Sequence, residues 1–344
     1  MNHIAIDLGG RESQICVRAA DGTIVAEDRW PTRSLKKYLK GLPRSRVVVE
    51  TCAEAFGVAD MALSTGHEAV VVPATLVRAL GVGARGLKND VRDARNLSQA
   101  SCQMSSLPSV HIPTQVSRER KMACGMREAL VGTRTKLVNT VRGWLRGQTL
   151  PVLPTGAVET FPGRVRAFVK KHDRPLPDCV ERQLKVIEVM NEQVVIADRE
   201  LEVLAKQDPI CKRLMTVPGV GPLTSVRFLA AIDEVGRFPD AHALQSYLGL
   251  TPGEDSSSNR KRITSITKAG ARQLRWCLVQ AAWSAQRVRG NDPMVAWAKR
   301  IGERRGKGIA TVALARKIAG VLYALWRDGS SYEMARAADT ISAE

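Results

Sequence analysis

The order of apolar and amphipathic segments in the first 72 residues constrains the fold more than any other feature of the chain. Short runs that are apolar, or that alternate apolar with polar residues, predict strands, and apolar residues at helical spacing predict helices. The predicted strands are residues 4–8, 13–17, 23–27, 46–50 and 68–72, and the predicted helices are residues 34–39 and 55–64. The resulting order, β-β-β-α-β-α-β, indicates a mixed α/β domain.

Four acidic residues take positions in and after this domain that suit a metal site. The order of elements resembles the ribonuclease-H-like fold, with Asp7 in the first strand and Glu50 at the end of the fourth. Asp90 and Asp93 stand three residues apart at a predicted helix start, which places both on one face. Carboxylate oxygens suit Mg²⁺ (or Mn²⁺), and two such ions about 4 Å apart can stabilise the attacking and leaving oxygens at phosphorus. The alternative is that Asp90 caps the helix and Asp93 is solvated.

The charge of the chain favours a polyanionic partner. Lys and Arg number 52 against 34 Asp and Glu, which gives a formal net charge of +18. Residues 259–327 hold 16 basic and 2 acidic side chains, whereas residues 1–96 hold 14 and 11. Such an uneven excess predicts nucleic-acid binding through the C-terminal part. The chain shows no basic leader, no apolar run of membrane-span length and no Cys-x-x-Cys pair, so we expect a reducing cytoplasm and neither zinc nor disulfides.

Two long helices are predicted in the middle of the chain. Apolar residues recur at helical spacing in residues 117–146 and again in 177–207, and a loop rich in Pro and Gly lies between them. We expect the two helices to pair as an antiparallel coiled coil, either within one chain or between subunits; the alternative is a packing hairpin without a further role. The first helix is strongly basic, and its candidate nucleic-acid contacts are Arg127, Arg134, Arg142 and Arg146.

A turn rich in Gly and Pro begins the C-terminal part. Residues 215–224 read Met-Thr-Val-Pro-Gly-Val-Gly-Pro-Leu-Thr, which is typical of a helix-hairpin-helix turn. In such a turn, Gly219 and Gly221 would let a phosphate approach the N-terminus of the following helix. The alternative, a tight turn between two helices, is equally compatible with the motif.

A run of serines follows, between helix-breaking residues and the start of another helix. Ser256, Ser257 and Ser258 are therefore expected on an exposed connection, where a hydroxyl could act as a nucleophile. The cations near them in sequence, which could hold a phosphodiester, are Arg260, Lys261, Arg262 and Lys268. A polar turn with a solvated basic patch is the alternative.

The order of all these motifs is similar to that of the DEDD transposases of bacterial insertion sequences and of the related Piv-type DNA invertases. The acids stand in Ile-Asp, Val-Val-Glu-Thr-Cys and Lys-Asn-Asp-Val-Arg-Asp-Ala; the Gly-Pro turn follows, then Leu-Gly-Leu-Thr-Pro, the serines and Ile-Thr-Lys-Ala-Gly. The resemblance covers roughly residues 3–332. It implies an RNase-H/RuvC-like DEDD domain in residues 1–110, a long-helix coiled-coil linker in 111–208 and a helical transposase domain with a helix-hairpin-helix turn in 209–335.

The resemblance also implies a mechanism. Asp7, Glu50, Asp90 and Asp93 would bind metal, and a serine of the C-terminal domain would attack a DNA phosphate to form a covalent phosphoserine. A bridge RNA would pair with both donor and target DNA. The enzyme would work in the bacterial cytoplasm, associated with the nucleoid and not with a membrane, as a homo-oligomer (a dimer or tetramer) with composite sites from different subunits.

The serine motif departs from the family pattern, in which a glycine follows the nucleophile. This chain has Ser256-Ser257-Ser258-Asn259. Placing Ser258 where the glycine would stand makes Ser257 the first candidate nucleophile and Ser256 the second. Because Ser tolerates positive φ poorly, the loop geometry is expected to differ as well.

Three other functions are compatible with parts of the sequence. A RuvC-like structure-specific nuclease would use the acids and metal without a serine. Ile-Asp-Leu-Gly-Gly near the N-terminus also resembles the first phosphate loop of actin-like and sugar-kinase ATPases, but no second such loop follows. A basic DNA-packaging protein would leave the ordered acids unexplained.

Overall fold

The computed structural model describes residues 1–80, 89–254, 263–288 and 291–333. The chain divides into two compact units, Met1–Pro113 (unit 1) and Thr114–Glu344 (unit 2). Unit 1 is a five-stranded mixed sheet with helices, of the RNase-H-like kind, and unit 2 is largely helical. This confirms the predicted combination of an α/β domain with a helical C-terminal region, while the finer division into three parts stays a prediction.

The strands of unit 1 agree with the predicted ones to within a few residues. Strands β1 to β5 are Asn2–Asp7, Glu12–Arg18, Ile24–Pro31, Ser45–Glu50 and Glu68–Val72. Helices α1 to α3 are Leu35–Lys40, Ala55–Ser64 and Asp90–Gln103. The strands lie in the order β3-β2-β1-β4-β5, with β1, β2 and β3 antiparallel neighbours and β4 and β5 parallel to β1.

Strand β1 is buried on both faces of the sheet. Because successive side chains of a strand point to opposite faces, it contributes to two cores. Ile4 and Ile6 pack with α1 and α2 on one face. Ala5 packs with Val48 of β4 and Leu97 of α3 on the other. Ala5 of β1 and Val48 of β4, each two positions before a candidate acid, therefore point to the face that α3 covers.

Two long helices pair within unit 2. Helices α4 to α6 are Gln115–Gly147, Phe161–Lys171 and Asp178–Gln207. Arg120 of α4 pairs with Asp208, at the end of α6, and Arg127 pairs with Asp198. Residue numbers fall along α6 as they rise along α4, so the pair is antiparallel and lies within one chain.

Helix α5 was not expected from the sequence. Pro162 and Gly163 were assigned to a loop, yet both lie inside the first turn of this helix. Proline is tolerated there because its missing N–H would have no partner in the helix anyway. Phe161, Val165 and Val169 supply the buried face that holds α5 against α4 and α6.

The rest of unit 2 forms a second, larger helical core. Its elements are α7 Pro209–Leu214, α8 Pro222–Ile232, α9 Ala241–Tyr247, β6 Pro252–Glu254, β7 Ile263–Ile266, α10 Arg272–Val288, α11 Pro293–Arg305 and α12 Lys307–Asp328. Strands β6 and β7 pair as an antiparallel two-stranded sheet. Buried residues of α8, α10 and α12, among them Phe228, Leu278 and Leu322, share one core.

Helix α12 corrects one expectation from the sequence. By length and composition it is apolar enough to cross a membrane, the one helix in the described ranges that is. Half of its apolar window is buried inside the protein, and a core helix satisfies the same criterion. Leu314, Ile318 and Leu322 are fully buried in the core of unit 2. Helix α12 is therefore accounted for as a core helix.

Candidate active site

Asp7 and Glu50 end two neighbouring parallel strands. The register of β1 and β4 runs from the pair Asn2 and Ser45 to the pair Ile6 and Val49. Asp7 and Glu50 are the next residues of the two strands, at the same edge of the sheet. Both side chains are partly exposed. The sheet thus brings together the two acids that the sequence separates by 43 positions.

Both acids point to the face of the sheet that α3 covers. Side chains two apart on a strand share a face. Ala5 and Val48 belong to the core that includes α3, and Asp7 and Glu50 each follow one of them by two positions.

The direction of α3 sets where its acids lie. Nδ1 of His3 in β1 is 2.8 Å from Oγ of Ser101 in α3. Two residues further along β1, Ala5 pairs with Cys16, whose Sγ accepts a hydrogen bond from Oγ of Ser98 at 3.2 Å. Moving forward along β1 therefore means moving backward along α3. From His3 to Asp7 is about 13 Å at the rise of a strand, and eight residues of helix span about 12 Å. Eight residues before Ser101 is Asp93, which comes level with Asp7.

The first turn of α3 shows that Asp90 is not its cap. The helix is capped by Asn89, whose Oδ1 accepts a hydrogen bond from the N–H of Val91 at 3.0 Å. Asp93 is only 5% exposed, so it is not a solvated residue either. Asp90 is exposed. The alternative interpretation, in which Asp90 caps the helix and Asp93 is solvated, is therefore wrong.

The four carboxylates share an edge of the unit but are not gathered at one point. Among the described residues, no group of three or more His, Cys, Asp or Glu side chains stands close enough to hold a metal ion. The donors themselves, acidic oxygens at adjacent strand ends and on the facing helix, are the type that divalent Mg²⁺ or Mn²⁺ prefers. The residues fit such an ion by chemistry and by their common face.

A cavity of about 360 Å³ adjoins this edge of the sheet. Glu12 and Gln14, which the sequence did not single out, are among its lining residues. Its lining includes Asp90 with Glu12, Gln14 and Arg29. Gln14 pairs with Asp7 across β1 and β2, and Glu12 lies two residues before it on the same face. Nε of Arg29 is 3.0 Å from a carboxylate oxygen of Glu12. The alternation of β2 was the signal that could have indicated both.

The candidate serines fall between β6 and β7 in sequence. Ser256, Ser257, Ser258, Arg260, Lys261 and Arg262 lie outside the described residues. Lys268 is described, exposed and has a positive φ of 58°.

The base of the β6–β7 hairpin is tightly built. Gly270 has φ +69°, and a Cβ there would stand 2.0 Å from the carbonyl oxygen of Tyr247. Gly249 has φ +66°, and a Cβ there would stand 2.3 Å from the oxygen of Ala269. Only glycine meets both demands. The two segments that flank the hairpin are therefore held in contact by their backbones.

Arg275 of α10 binds both of these segments. Its Nη1 donates to the carbonyl oxygens of Leu248, at 2.9 Å, and Ala269, at 2.6 Å. Burial, and then the neighbouring cation of Arg272, lower the pKa of Arg275. The guanidinium thus ties the base of the hairpin to the first turns of α10.

The two glycines of the Pro-Gly-Val-Gly turn have different surroundings. Gly219 has φ +82°, and a Cβ there would stand 2.1 Å from the oxygen of Ala281 in α10. Gly221 precedes α8, and a Cβ there would meet nothing within 4 Å. Gly219 is thus required by packing between the turn and α10, while Gly221 has open space beside the N-terminus of α8.

The four arginines of α4 also divide into two kinds. Arg134 is 9% exposed, and its Nη1 donates to Oδ1 of Asn191 at 3.0 Å. Arg127 donates to Asp198 at 2.8 Å. Arg142 and Arg146 are exposed. The first two hold α4 to α6, because their partners lie on α6, and this long-range pairing could not be seen from the spacing of the arginines.

Two family models match the chain. A DEDD model described as a transposase matches residues 4–149, and a model described as the transposase IS116/IS110/IS902 family matches residues 211–294. The first match includes all four candidate acids, and the second includes Ser256 and Ser257.

Curated relatives align along nearly the whole chain. It is 27% identical to the transposase for insertion sequence element IS1111A of Coxiella burnetii, covering 96% of this chain and 90% of the relative. It is 26% identical to a probable family 20 transposase of Pseudomonas aeruginosa, covering 94% and 96%. It is 25% identical to the transposase for insertion sequence element IS1328 of Yersinia enterocolitica, covering 96% and 98%. The similarity therefore extends through both units.

Proposed function

Since the chain belongs to the IS110/IS116/IS902 family of transposases, we propose that it cuts and rejoins DNA through a covalent serine intermediate, guided by a bridge RNA. The family implies DNA transposition, DNA binding and DNA phosphoryl transfer, and its DEDD domain implies use of a divalent metal. The acidic metal site of this proposal is supported above all by one observation: Asp7 and Glu50 end neighbouring parallel strands on the face that α3 covers, and Asp93 of α3 comes level with Asp7.

The acids of unit 1 provide the metal ligands of this proposal. Asp7, Glu50, Asp90 and Asp93 would hold Mg²⁺ or Mn²⁺ through carboxylate oxygens. A bound divalent ion stabilises the negative charge that develops on phosphate oxygens during transfer. The proposal favours Asp93 as the best-positioned helix ligand, because its side chain is buried at the level of Asp7. Asp90, exposed and beside the cavity, lies closer to where DNA can reach.

The serine chemistry belongs to the segment between β6 and β7. The Oγ of Ser257, or of Ser256, attacks a DNA phosphorus and forms a phosphoserine ester. The bond from phosphorus to the departing sugar oxygen breaks, and that oxygen ends with the proton of the serine hydroxyl. A new sugar hydroxyl then attacks the same phosphorus and releases the serine, so joining needs no external energy source.

Exposed cations and open backbone support the placement of DNA. Arg142 and Arg146 remain the DNA candidates of α4, with Lys268 beside the hairpin and Gly221 at the start of α8. Arg260, Lys261 and Arg262 are proposed on sequence alone. The 16 basic and 2 acidic residues in 259–327 favour the same partner.

Guidance by RNA and assembly into a dimer or tetramer rest on the family resemblance. Arg142 and Arg146, which are exposed on α4, could contact such an RNA. RNA that copurifies with the protein should pair with both donor and target, and changing it should move the target site. Recombination of the same site by RNA-free protein would contradict guidance.

The metal proposal is tested by removing one carboxylate charge at a time. Asp7→Asn, Glu50→Gln, Asp90→Asn and Asp93→Asn should each abolish Mg²⁺-dependent strand transfer while the thermal unfolding of the protein remains cooperative. The matched control is Asp60→Asn, an exposed acid of α2 on the opposite face of the sheet. Equal activity of the Asp93→Asn and Asp60→Asn proteins would remove α3 from the site.

A further inference from the structure

One face of α10 exposes two large aromatic side chains. Trp276 is 57% exposed and Trp283 is 38% exposed. Tryptophan is usually well buried, so two such residues on one helix need an explanation. The opposite face of α10 is firmly packed, with Leu274, Leu278 and Ala282 buried in the core of unit 2. The exposed tryptophans therefore lie on a rigid support.

Two cations continue the line of the tryptophans. Arg272, Trp276, Trp283 and Arg287, named here the α10 stripe, follow one another by four, seven and four positions. These spacings return to the same side of a helix. Both arginines are exposed, and neither has a hydrogen bond or acidic partner in the described part of the chain. Helix α10 contains no Asp or Glu.

We propose that the α10 stripe binds an unpaired DNA strand. Bases of any sequence can stack on exposed aromatic rings, while neighbouring cations hold the backbone phosphates. Seven residues of helix place the two rings about 10 Å apart, a distance that roughly two or three nucleotides of one strand can span. The stripe is therefore matched in both chemistry and length to a single strand, whose bases are free to stack.

Charge argues against a second copy of this chain as the occupant. Each chain carries a net charge of +18, and the stripe offers cations at both ends. A self-associating face of this kind would oppose like charges, which is unfavourable. DNA supplies the opposite charge, and DNA is the partner that the family implies.

The position of the stripe suggests where the strand comes from. Arg272 follows Gly270 by two residues, and Arg275 ties the start of α10 to the base of the β6–β7 hairpin. The stripe extends about 22 Å from that base. The origin of the strand, freed next to the serine segment, rests on the proposed function. The binding of a single strand to the α10 stripe does not.

The test measures binding of the full-length protein by fluorescence anisotropy. The probes are a labelled DNA oligothymidine, the RNA of matching length and a DNA duplex. Because stacking on the two rings supplies a large share of the affinity for unpaired bases, the Trp276→Ala, Trp283→Ala protein should bind the single DNA strand at least tenfold more weakly. Its affinity for the duplex should change less than twofold. Trp276→Phe with Trp283→Phe is the matched control, and it should retain most of the affinity because an aromatic ring remains.

A salt titration separates the two parts of the stripe. Log affinity falls linearly with log salt, and Arg272→Gln with Arg287→Gln should make this fall less steep by about 1.4 for a single strand. The tryptophan variants should leave that slope unchanged. Both experiments are carried out on Ser257→Ala protein as well, where they should give the same result because no cleavage is involved.

Several outcomes would overturn the inference. These are an unchanged single-strand affinity in the alanine variant, an equal loss on duplex, a loss confined to RNA, or a change in sedimentation that makes the stripe an interface between copies. If the stripe fails while a serine adduct forms, only this inference falls. If the stripe binds as expected while no adduct forms, the serine mechanism falls instead.

Discussion

Replacing Gly270 by alanine should damage the base of the β6–β7 hairpin more than the small size of an added methyl group suggests. The residue has φ +69°, and the added Cβ would stand 2.0 Å from the carbonyl oxygen of Tyr247. A left-handed conformation costs a residue with a side chain about 1–2 kcal/mol. Forcing an atom into a filled space costs about 1–3 kcal/mol more. Because the neighbour is backbone, no side-chain rotation can relieve the contact, and we expect a total loss of about 2–5 kcal/mol.

Gly329→Ala separates these two contributions. Gly329 lies in the left-handed region, with φ 66° and ψ 18°, but a Cβ there would come no closer than 3.7 Å to its nearest neighbour, the flexible side chain of Arg213. It should lose only the conformational part, about 1–2 kcal/mol. The assay is urea unfolding of both variants, followed by DNA cleavage at a temperature where both are folded. Gly270→Ala should be the less stable and should cleave more slowly; equal stability of the two proteins would refute the packing argument.

Two further predictions concern the contact of β1 with α3 and the exposed arginines of α4. Burial, and then the nearby Arg46, lower the pKa of His3 in the folded protein. The folded state therefore favours the neutral imidazole. The contribution of His3 to stability is complete above the ordinary histidine pKa of about 6.5 and is lost as pH falls toward the lowered pKa. Urea unfolding at pH 7.5 and 5.5 should show this loss, and His3→Asn should reduce it; an identical pH dependence in the variant would contradict it. Arg142→Gln with Arg146→Gln should weaken duplex binding and lower its salt slope by about 1.8, whereas Arg134→Gln should mainly lower stability, because Arg134 is buried against Asn191; a slope change confined to Arg134→Gln would reverse these assignments.

The strands and most helices of unit 1 could be predicted because their patterns are local. Apolar alternation located β1 to β5 to within a few residues, and β4 ends at Glu50 as predicted. The order of the strands also made a common edge for Asp7 and Glu50 foreseeable. What the pattern could not show is the level of α3 relative to β1. That level depends on contacts such as His3 with Ser101, which are 98 positions apart.

The errors and omissions have similar physical causes. Arg134 was grouped with its exposed neighbours because its partner, Asn191, lies 57 positions away on α6. Helix α5 was taken for a loop because Pro162 and Gly163 break helices in most positions, although not in the first turn. Asn89 rather than Asp90 caps α3, a choice of one residue that helix-start patterns do not resolve.

The most direct test of the account is a search for a covalent bond between protein and DNA. Purified protein is incubated with labelled DNA, guide RNA and Mg²⁺, separated on a denaturing gel, and any adduct is mapped by peptide mass. The account predicts an adduct at Ser257, or else Ser256, that disappears in the Ser256→Ala, Ser257→Ala protein and in Asp93→Asn. Normal cleavage by the double alanine protein, or an adduct at Ser258 or a tyrosine, would contradict it.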